Sequence, residues 1–352
     1  MEALATLYRP KKFEDLVCQD NVKKILVNQL ETREFKQSYL FCGGAGTGKT
    51  TSARIFANEI NNGKGKPIEI DGASNNGVDN IRALIDDSKM KSMSTDYKVY
   101  IIDEVHMLSL GAFNALLKIL EEPPKGVIFI LCTTDPQKIP NTILSRVQRF
   151  DFKRIPQNEI AMRLAYILNE ENSVICERQG NEVYDGELIE YTDEALQYIA
   201  KLADGGMRDA ITKLDTILGY TKEITVESVL TCLGITSYTT MNQLLRFIYK
   251  RESEQALNVI HDTFYSGKDL KIFIRDCTNY ILDLCKYKLT NKYELTNLPD
   301  THKEEATVTI NNIDMDFLIN SLDVFNNLYN TIKYEQNPRA MVESEVLMQC
   351  MM

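Results

Sequence analysis

A glycine-rich loop at residues 43–50 constrains this chain more than any other feature of its sequence. The loop reads GGAGTGKT and matches the phosphate-binding pattern G-x-x-x-x-G-K-[ST]. An apolar run at residues 39–42 precedes it, and apolar residues recur at helical spacing over residues 53–60. In this order of strand, loop and helix, backbone N–H groups and the start of the helix surround a phosphate. The sequence therefore predicts a nucleotide triphosphatase; a glycine-rich surface loop without a ligand is the alternative.

The polar residues of this loop have separate expected roles. Lys49 is expected to place its charge near the β- and γ-phosphates, and the Thr50 hydroxyl is expected to ligate Mg²⁺. The predicted phosphate-binding residues are Gly43, Gly44, Ala45, Gly46, Thr47, Gly48, Lys49, Thr50 and Thr51.

Two acids end an apolar run at residues 99–104, which reads VYIIDE. If this run is a strand of the same sheet, Asp103 can hold Mg²⁺ through water and Glu104 can orient and polarise an attacking water. Acids often simply end a strand at the surface, but their position after an intact phosphate loop favours the functional interpretation. His106, two residues further on, is expected to brace the loop rather than to exchange protons.

The spacing of apolar residues predicts an α/β architecture followed by helices. Candidate strands lie at residues 39–42, 67–71, 98–103, 127–134 and 149–152, with helical segments between them. Such alternation predicts a parallel sheet covered on both faces, with the active site at the carboxyl ends of its strands. After residue 152 the pattern is almost wholly helical. There we expect a loop or small excursion at residues 172–190, a helix N-cap at Thr225, a long amphipathic helix over residues 270–285 and a surface loop at residues 292–307.

Composition excludes several other classes of protein. The longest apolar stretch, residues 127–132, is far short of the roughly 20 residues that a membrane span needs. The N-terminus lacks a basic region followed by an apolar one, so we expect no secretory signal and a cytoplasmic location. Eight scattered cysteines without a C-x₂-C pair predict reduced thiols. The net charge of −10 argues against indiscriminate nucleic-acid binding, but it leaves room for DNA held in a local basic channel.

Several segments, in order, resemble the gamma/tau family of bacterial DNA polymerase III, the ATPases of the replication clamp loader in the AAA+ superfamily. They are residues 8–10 (YRP), 13–17 (FEDLV), the phosphate loop, 69–74 (EIDGAS), 103–108 (DEVHML), 113–118 (FNALLK), 120–124 (LEEPP), 133–138 (TTDPQK) and 144–146 (LSR). The resemblance implies an α/β AAA+ P-loop core with a parallel sheet at residues 1–154. A helical lid at residues 155–221, with an insertion near 172–190, and a helical collar or oligomerisation domain at residues 222–352 would follow.

The same resemblance implies roles for further residues. Thr134 matches the sensor 1 position, with the adjacent Thr133 as the alternative. Arg146 matches an arginine finger that reaches the ATP of a neighbouring subunit, and Arg208 matches the sensor 2 position that closes the lid on nucleotide. By sequence alone these arginines would more often be solvated surface charges. The residues that match the segment packing on the adenosine are Tyr8, Arg9, Pro10 and Val17.

The family resemblance also implies cofactors and partners. ATP and Mg²⁺ are expected, but no zinc, because residues 61–66 carry none of the cysteines of the zinc module that many family members have at this place. Companion clamp-loader subunits in a hetero-oligomer, as a pentameric ring, are expected together with a sliding clamp and primer-template DNA, and no membrane. The tail by which longer family forms bind polymerase and helicase is expected to be missing.

Two alternatives to a clamp-loader ATPase stay open at this point. One is another AAA+ DNA-replication ATPase such as a helicase loader, which the segment at residues 144–146 and the collar-like third domain oppose. The other is a structural loader subunit that does not hydrolyse ATP. The intact Lys49, Thr50, Asp103 and Glu104 argue against that second alternative.

Overall fold

The computed structural model describes residues 3–90, 95–178 and 188–351. The chain divides into two compact units. The first comprises Met1–Val174 and Ile199–Asp215, and the second comprises Ile175–Tyr198 and Thr216–Met352. The finer division into core, lid and collar remains a prediction.

Five parallel strands form the sheet of the first unit. They are β1 (Ser38–Gly43), β2 (Ile68–Asp71), β3 (Lys98–Asp103), β4 (Val127–Thr133) and β5 (Gln148–Phe152). This confirms the predicted parallel sheet and all five strands, with ends that differ by at most one residue. The order across the sheet is β2-β3-β4-β1-β5. Strand β4 therefore lies between the strand of the phosphate loop and the strand that ends in the two acids.

Helices cover both faces of this sheet, which is why its three central strands, β1, β3 and β4, are buried along almost their whole length. The edge strands β2 and β5 instead alternate between more and less exposed residues. Successive side chains alternate between the faces: Phe41 packs in one core with Phe56, and Leu40 packs in the other with Tyr100 and Phe113. The first six helices of the chain, all in the first unit, are α1 (Leu4–Leu7), α2 (Asp20–Thr32), α3 (Lys49–Ile60), α4 (Val78–Ser88), α5 (Leu110–Glu121) and α6 (Asn141–Leu144).

The loop predicted at residues 172–190 is wrong for its first part. Helix α7 (Gln157–Arg178) continues through residues 172–178. None of residues 171–177 is fully buried, so this part of the helix carries no apolar stripe from which a period could be recognised. Residues 179–187 of the predicted insertion lie outside the described residues. At its other end, Glu190 belongs to the short strand β6 (Glu190–Tyr191), which pairs in parallel with β7 (Glu223–Ile224).

The second unit is mainly helical, as predicted. Its core is centred on the long amphipathic helix, where Phe273, Ile274, Ile281 and Leu284 are buried. No described helix is both long and apolar enough to cross a membrane. The remaining helices of the chain are α8 (Asp193–Leu202), α9 (Met207–Leu218), α10 (Val226–Cys232), α11 (Tyr238–Tyr249), α12 (Ser253–Tyr265), α13 (Leu270–Thr290), α14 (Lys303–Asn312), α15 (Met315–Thr331) and α16 (Pro338–Met351).

The prediction of a surface loop at residues 292–307 is also wrong. Helix α14 begins within it at Lys303, and two short 3₁₀ turns precede that helix. Tyr293, Leu298 and His302 are buried, and the Tyr293 hydroxyl donates to the carbonyl of Pro299 at 2.5 Å. These buried side chains are spaced too irregularly to give a helical or strand period, so the polar residues between them dominated the sequence pattern.

The predicted N-cap at Thr225 is confirmed and is part of a reciprocal capping box. The Thr225 hydroxyl accepts from the Ser228 N–H at 3.2 Å, and the Ser228 hydroxyl accepts from the Thr225 N–H at 2.9 Å. These bonds satisfy two backbone donors at the start of α10 that have no partner within the helix.

We expect Thr225→Ala to lower the free energy of unfolding by about 1 kcal/mol, because it leaves one of these donors unpaired. The measurement is urea denaturation of the full chain. Thr32→Ala is the matched control, since among the described hydrogen bonds the Thr32 hydroxyl only donates back to the Asn28 carbonyl at the exposed end of α2, at 2.9 Å. The control should change stability by less than about 0.5 kcal/mol. Equal losses in both variants would contradict the capping role.

Candidate functional site

A cavity of about 220 Å³ in the first unit collects most of the predicted site residues. It lies at the carboxyl ends of the strands, where the phosphate loop follows β1 and the two acids end β3. The predicted residues that line it are Tyr8, Arg9, Pro10, Val17, Ala45, Gly46, Thr47, Gly48, Lys49, Thr50, Thr51, Asp103, Glu104 and Arg208. The predicted residues outside its lining are Gly43, Gly44, Thr134 and Arg146.

The phosphate loop needs glycine at two positions for different reasons. Gly48 immediately precedes α3 with a φ of 99°, a conformation that side chains rarely adopt. Gly46 has a φ of 70°, and a Cβ atom at this residue would lie 3.1 Å from the Cα of Gly206. The Gly46 carbonyl accepts from the Met207 N–H at 3.0 Å, so the loop is bonded directly to the start of α9.

Lys49 is buried with its ammonium group bound to backbone oxygen. Its Nζ donates to the carbonyls of Gly43 and Gly44, both at 2.7 Å, and the residue is 5% exposed. Burial lowers the pKa of Lys49, and the negative charge of Glu104 opposes that shift. Gly43 and Gly44 thus act on the site through their carbonyls. A buried cation whose hydrogen bonds go only to neutral carbonyls suits an anionic ligand.

The Thr50 hydroxyl joins the loop to the first acid by donating to Asp103 Oδ2 at 2.8 Å. Hydroxyl and carboxylate oxygens are the donors that Mg²⁺ prefers, so this pair fits the predicted metal site. Thr50 and Asp103 would hold the ion, which when bound neutralises charge on the phosphate oxygens. The other oxygen of Asp103 accepts from the Glu104 N–H at 2.9 Å and fixes the carboxylate.

Glu104 is held in an uncommon conformation at the end of β3. Its φ of 45° and ψ of 44° are left-handed, which costs roughly 1–3 kcal/mol for such a residue. The Thr134 hydroxyl donates to its carboxylate at 3.0 Å, and His106 lies 3.2 Å from the same oxygen. Thr133 instead contacts His106 at 3.1 Å. Of the two candidate sensor threonines, Thr134 is therefore the one that touches the acid.

Six lining residues were not predicted from the sequence. Met207 and Ile211 lie one turn apart on α9, so the prediction of Arg208 could have led to them. Arg163 on α7 gave no signal, because a lone arginine on an amphipathic helix usually indicates the solvent face. The unpredicted lining residues whose side chains are apolar are Ala5, Leu16, Ile155, Met207 and Ile211.

Arg146 lies apart from the cavity. Its guanidinium forms an ion pair with Glu121, at the end of α5, and donates to the Ser145 hydroxyl at 3.1 Å. The side chain is 32% exposed. Its role at the site of a neighbouring subunit remains a prediction.

All eight cysteines are free thiols. In the described ranges no three His, Cys, Asp or Glu side chains gather in a way that could hold a metal ion. The absence of zinc from the protein remains a prediction.

Comparison with known proteins identifies relatives over nearly the whole chain. A family model described as DNA polymerase III, delta subunit, matches residues 60–156, and one described as DNA polymerase III subunits gamma and tau domain III matches residues 224–348. DNA polymerase III subunit tau of Bacillus subtilis is 38% identical over 99% of this chain and 63% of its own length. The subunit tau of Escherichia coli is 35% identical over 76% of this chain and 42% of its own length. The chain thus spans about two fifths to two thirds of these relatives.

A solved structure shares the fold. A point variant of Thermotoga maritima RuvB superposes with a TM-score of 0.50 and 21% identity, over 68% of this chain and 79% of that chain. At this identity the likeness shows the fold alone. It confirms the expected α/β core with a parallel sheet, followed by helical segments.

We expect Thr50→Val to weaken the binding of Mg²⁺ with a nucleoside triphosphate by roughly tenfold or more, because the variant keeps the shape of the side chain but loses a metal ligand. Nucleotide titrations with Mg²⁺ and with EDTA measure the effect. In EDTA the variant and the wild type should bind equally. Equal weakening with and without Mg²⁺ would show that Thr50 acts on the loop rather than on the metal.

Proposed function

The chain belongs to the DNA polymerase III gamma/tau family, and from that premise we propose that it is the ATPase motor subunit of a DNA-replication sliding-clamp loader. It would act in the cytoplasm with companion subunits in a hetero-oligomeric, pentameric ring. ATP binding would drive assembly and opening of the clamp, and hydrolysis would release the clamp on primer-template DNA. The observation that carries the proposal is the cavity that collects Lys49, Thr50, Asp103 and Glu104.

The reaction needs positioning and charge more than covalent chemistry. Lys49 exchanges its bonds to the loop carbonyls for the β- and γ-phosphate oxygens of ATP. Glu104 orients a water for attack on the γ-phosphorus and polarises it, while Thr134, which already donates to that carboxylate, reports whether the γ-phosphate is present. The residues 8–10 with Val17 pack on the adenosine.

Two arginines complete the proposed site from opposite directions. Arg208, two residues after Gly206 at the start of α9, reaches the phosphates from within the same chain, and the bond from Met207 to Gly46 keeps that helix end against the loop. Arg146 acts in a neighbouring subunit, where its fixed fork neutralises charge on the phosphoryl oxygens in the transition state. Its ion pair with Glu121 must be exchanged for that contact.

The first test separates nucleotide binding from hydrolysis. We expect Glu104→Gln to bind ATP as the wild type does but to hydrolyse it roughly 10²-fold more slowly or worse, because the water loses its activating base. Lys49→Ala should lose nucleotide affinity instead. Equilibrium ATP binding and steady-state phosphate release by the assembled complex measure both effects. Turnover close to the wild-type rate in Glu104→Gln would refute the proposed mechanism and leave a structural subunit as the better account.

The second test asks whether Arg146 acts across an interface. Arg146→Ala should bind ATP normally and lose roughly 10³-fold or more in hydrolysis, the contribution that arginine fingers make elsewhere. Arg149→Ala is the matched control, since Arg149 is a half-exposed arginine paired with Asp151 on β5. This control should hydrolyse ATP at the wild-type rate.

Mixing Arg146→Ala subunits with Lys49→Ala subunits should restore part of the turnover. In a mixed assembly an Arg146→Ala site, whose Lys49 is intact, can sit beside a partner that still donates Arg146. Mixed assemblies that form but are no more active than either variant alone would show that Arg146 has only a local role, bracing the loop through Glu121.

A further inference from the structure

Helix α7 holds Tyr8 through two separate contacts. The Tyr8 hydroxyl donates to Glu171 Oε1 at 2.7 Å, and Arg163 Nη2 donates to the Tyr8 backbone carbonyl at 3.3 Å. Arg163 and Glu171 are eight residues apart on one continuous helix, about 12 Å along its axis. A single rigid element therefore fixes both the backbone and the ring of the residue that begins the segment 8–10.

The hydroxyl contact has the character of a firm hydrogen bond. Burial raises the pKa of Tyr8, and the hydrogen bond to the Glu171 carboxyl group raises it further, so the phenol keeps the proton that it donates. Both the donor and the acceptor belong to the first unit, so the contact is part of the packing of that unit.

Arg163 is not engaged as an ordinary surface cation. In the described part of the chain it forms no ion pair; besides the Tyr8 carbonyl, its guanidinium lies 4.8 Å from the centre of the Tyr166 ring. Stacking on a ring restrains the planar group and directs its remaining donors. Arg163 also lines the nucleotide cavity beside Tyr8. The contacts of Arg163 with Tyr8 and Tyr166 at the cavity, and not an acidic partner, thus account for its position.

We propose that Arg163 and Glu171 are positioning residues that hold Tyr8, and with it Arg9 and Pro10, as a rigid wall that selects adenine over guanine nucleotides. This inference rests on the nucleotide site proposed above. Adenine and guanine differ only in the groups at the edge of the ring, so a wall can discriminate between them only if its polar backbone groups are fixed within about 0.5 Å. Two contacts from one helix supply that restraint.

Effects at the base should be separable from effects at the phosphates. Lys49 and Arg208 serve the phosphate end, and neither contacts Tyr8 among the described hydrogen bonds. Removing either contact to Tyr8 should therefore weaken the binding of ATP and of ADP alike, since both carry adenine. It should leave GTP binding nearly unchanged, because the wall does not favour guanine.

The test measures the dissociation constants of ATP, ADP and GTP by calorimetric titration of the full chain. Arg163→Met keeps a long apolar stem but removes the donors, and Tyr8→Phe keeps the ring but removes the hydroxyl. Each variant should weaken the binding of ATP and of ADP equally, by about tenfold, because it loses one charge-assisted hydrogen bond. The preference for ATP over GTP should shrink by the same factor. In the double variant the affinity for ATP should fall by less than the product of the two single-variant factors, because both contacts hold the same wall.

Two controls keep the result interpretable. Arg149→Met removes a comparable guanidinium outside the cavity and should change no dissociation constant. Arg163→Lys should recover part of the preference, because an ammonium group can still donate to the Tyr8 carbonyl. Thermal melting of each variant distinguishes a loss of selection from a loss of fold.

Several outcomes would overturn the inference. If Arg163→Met lowers the affinity for ATP but not for ADP, Arg163 contacts the γ-phosphate instead. If it lowers the affinity for ATP, ADP and GTP equally, Arg163 supports the fold in general. A wild-type protein that binds ATP and GTP equally well would leave nothing for the wall to select. A wild-type protein that binds no nucleotide at all would instead refute the proposed function itself.

Discussion

The site depends on a buried ammonium group that has only backbone carbonyls as partners. Lys49 is drawn into the loop because α3 begins at this residue and because the loop turns its Gly43 and Gly44 carbonyls toward it. Among the described residues it forms no ion pair, although Glu104 is close enough to oppose the lowering of its pKa. Neutral dipoles compensate a buried charge less well than an anion does. The fold thus holds a positive charge ready for phosphate.

The order of the strands in the sheet determines which other side chains lie near the Lys49 ammonium group. With β4 between β1 and β3, the phosphate loop and the two acids flank the end of β4, which Thr134 directly follows. That arrangement explains two contacts between distant parts of the sequence, from Thr50 to Asp103 and from Thr134 to Glu104. The parallel sheet brings all these residues to one edge, so no single segment contains the site.

Sequence predicted those parts of the structure that local chemistry determines. The phosphate loop, the apolar strands and the cap at Thr225 each depend on residues within a few positions of one another, and each was found. The end of α7 was missed because a helix without a buried face has no period, and the packed segment before α14 was missed because its buried residues are irregularly spaced. Arg163 was missed for a different reason: its partner, Tyr8, is 155 residues away and contributes a backbone atom.

The most direct test of the proposed site is a crystal structure of the protein with Mg²⁺ and a non-hydrolysable ATP analogue. We expect Lys49 Nζ to leave the carbonyls of Gly43 and Gly44 and to bind β- and γ-phosphate oxygens, with the metal between the Thr50 hydroxyl and Asp103. The base should then lie against residues 8–10. An analogue bound with its phosphates outside the loop, while Lys49 keeps both carbonyl bonds, would contradict this assignment.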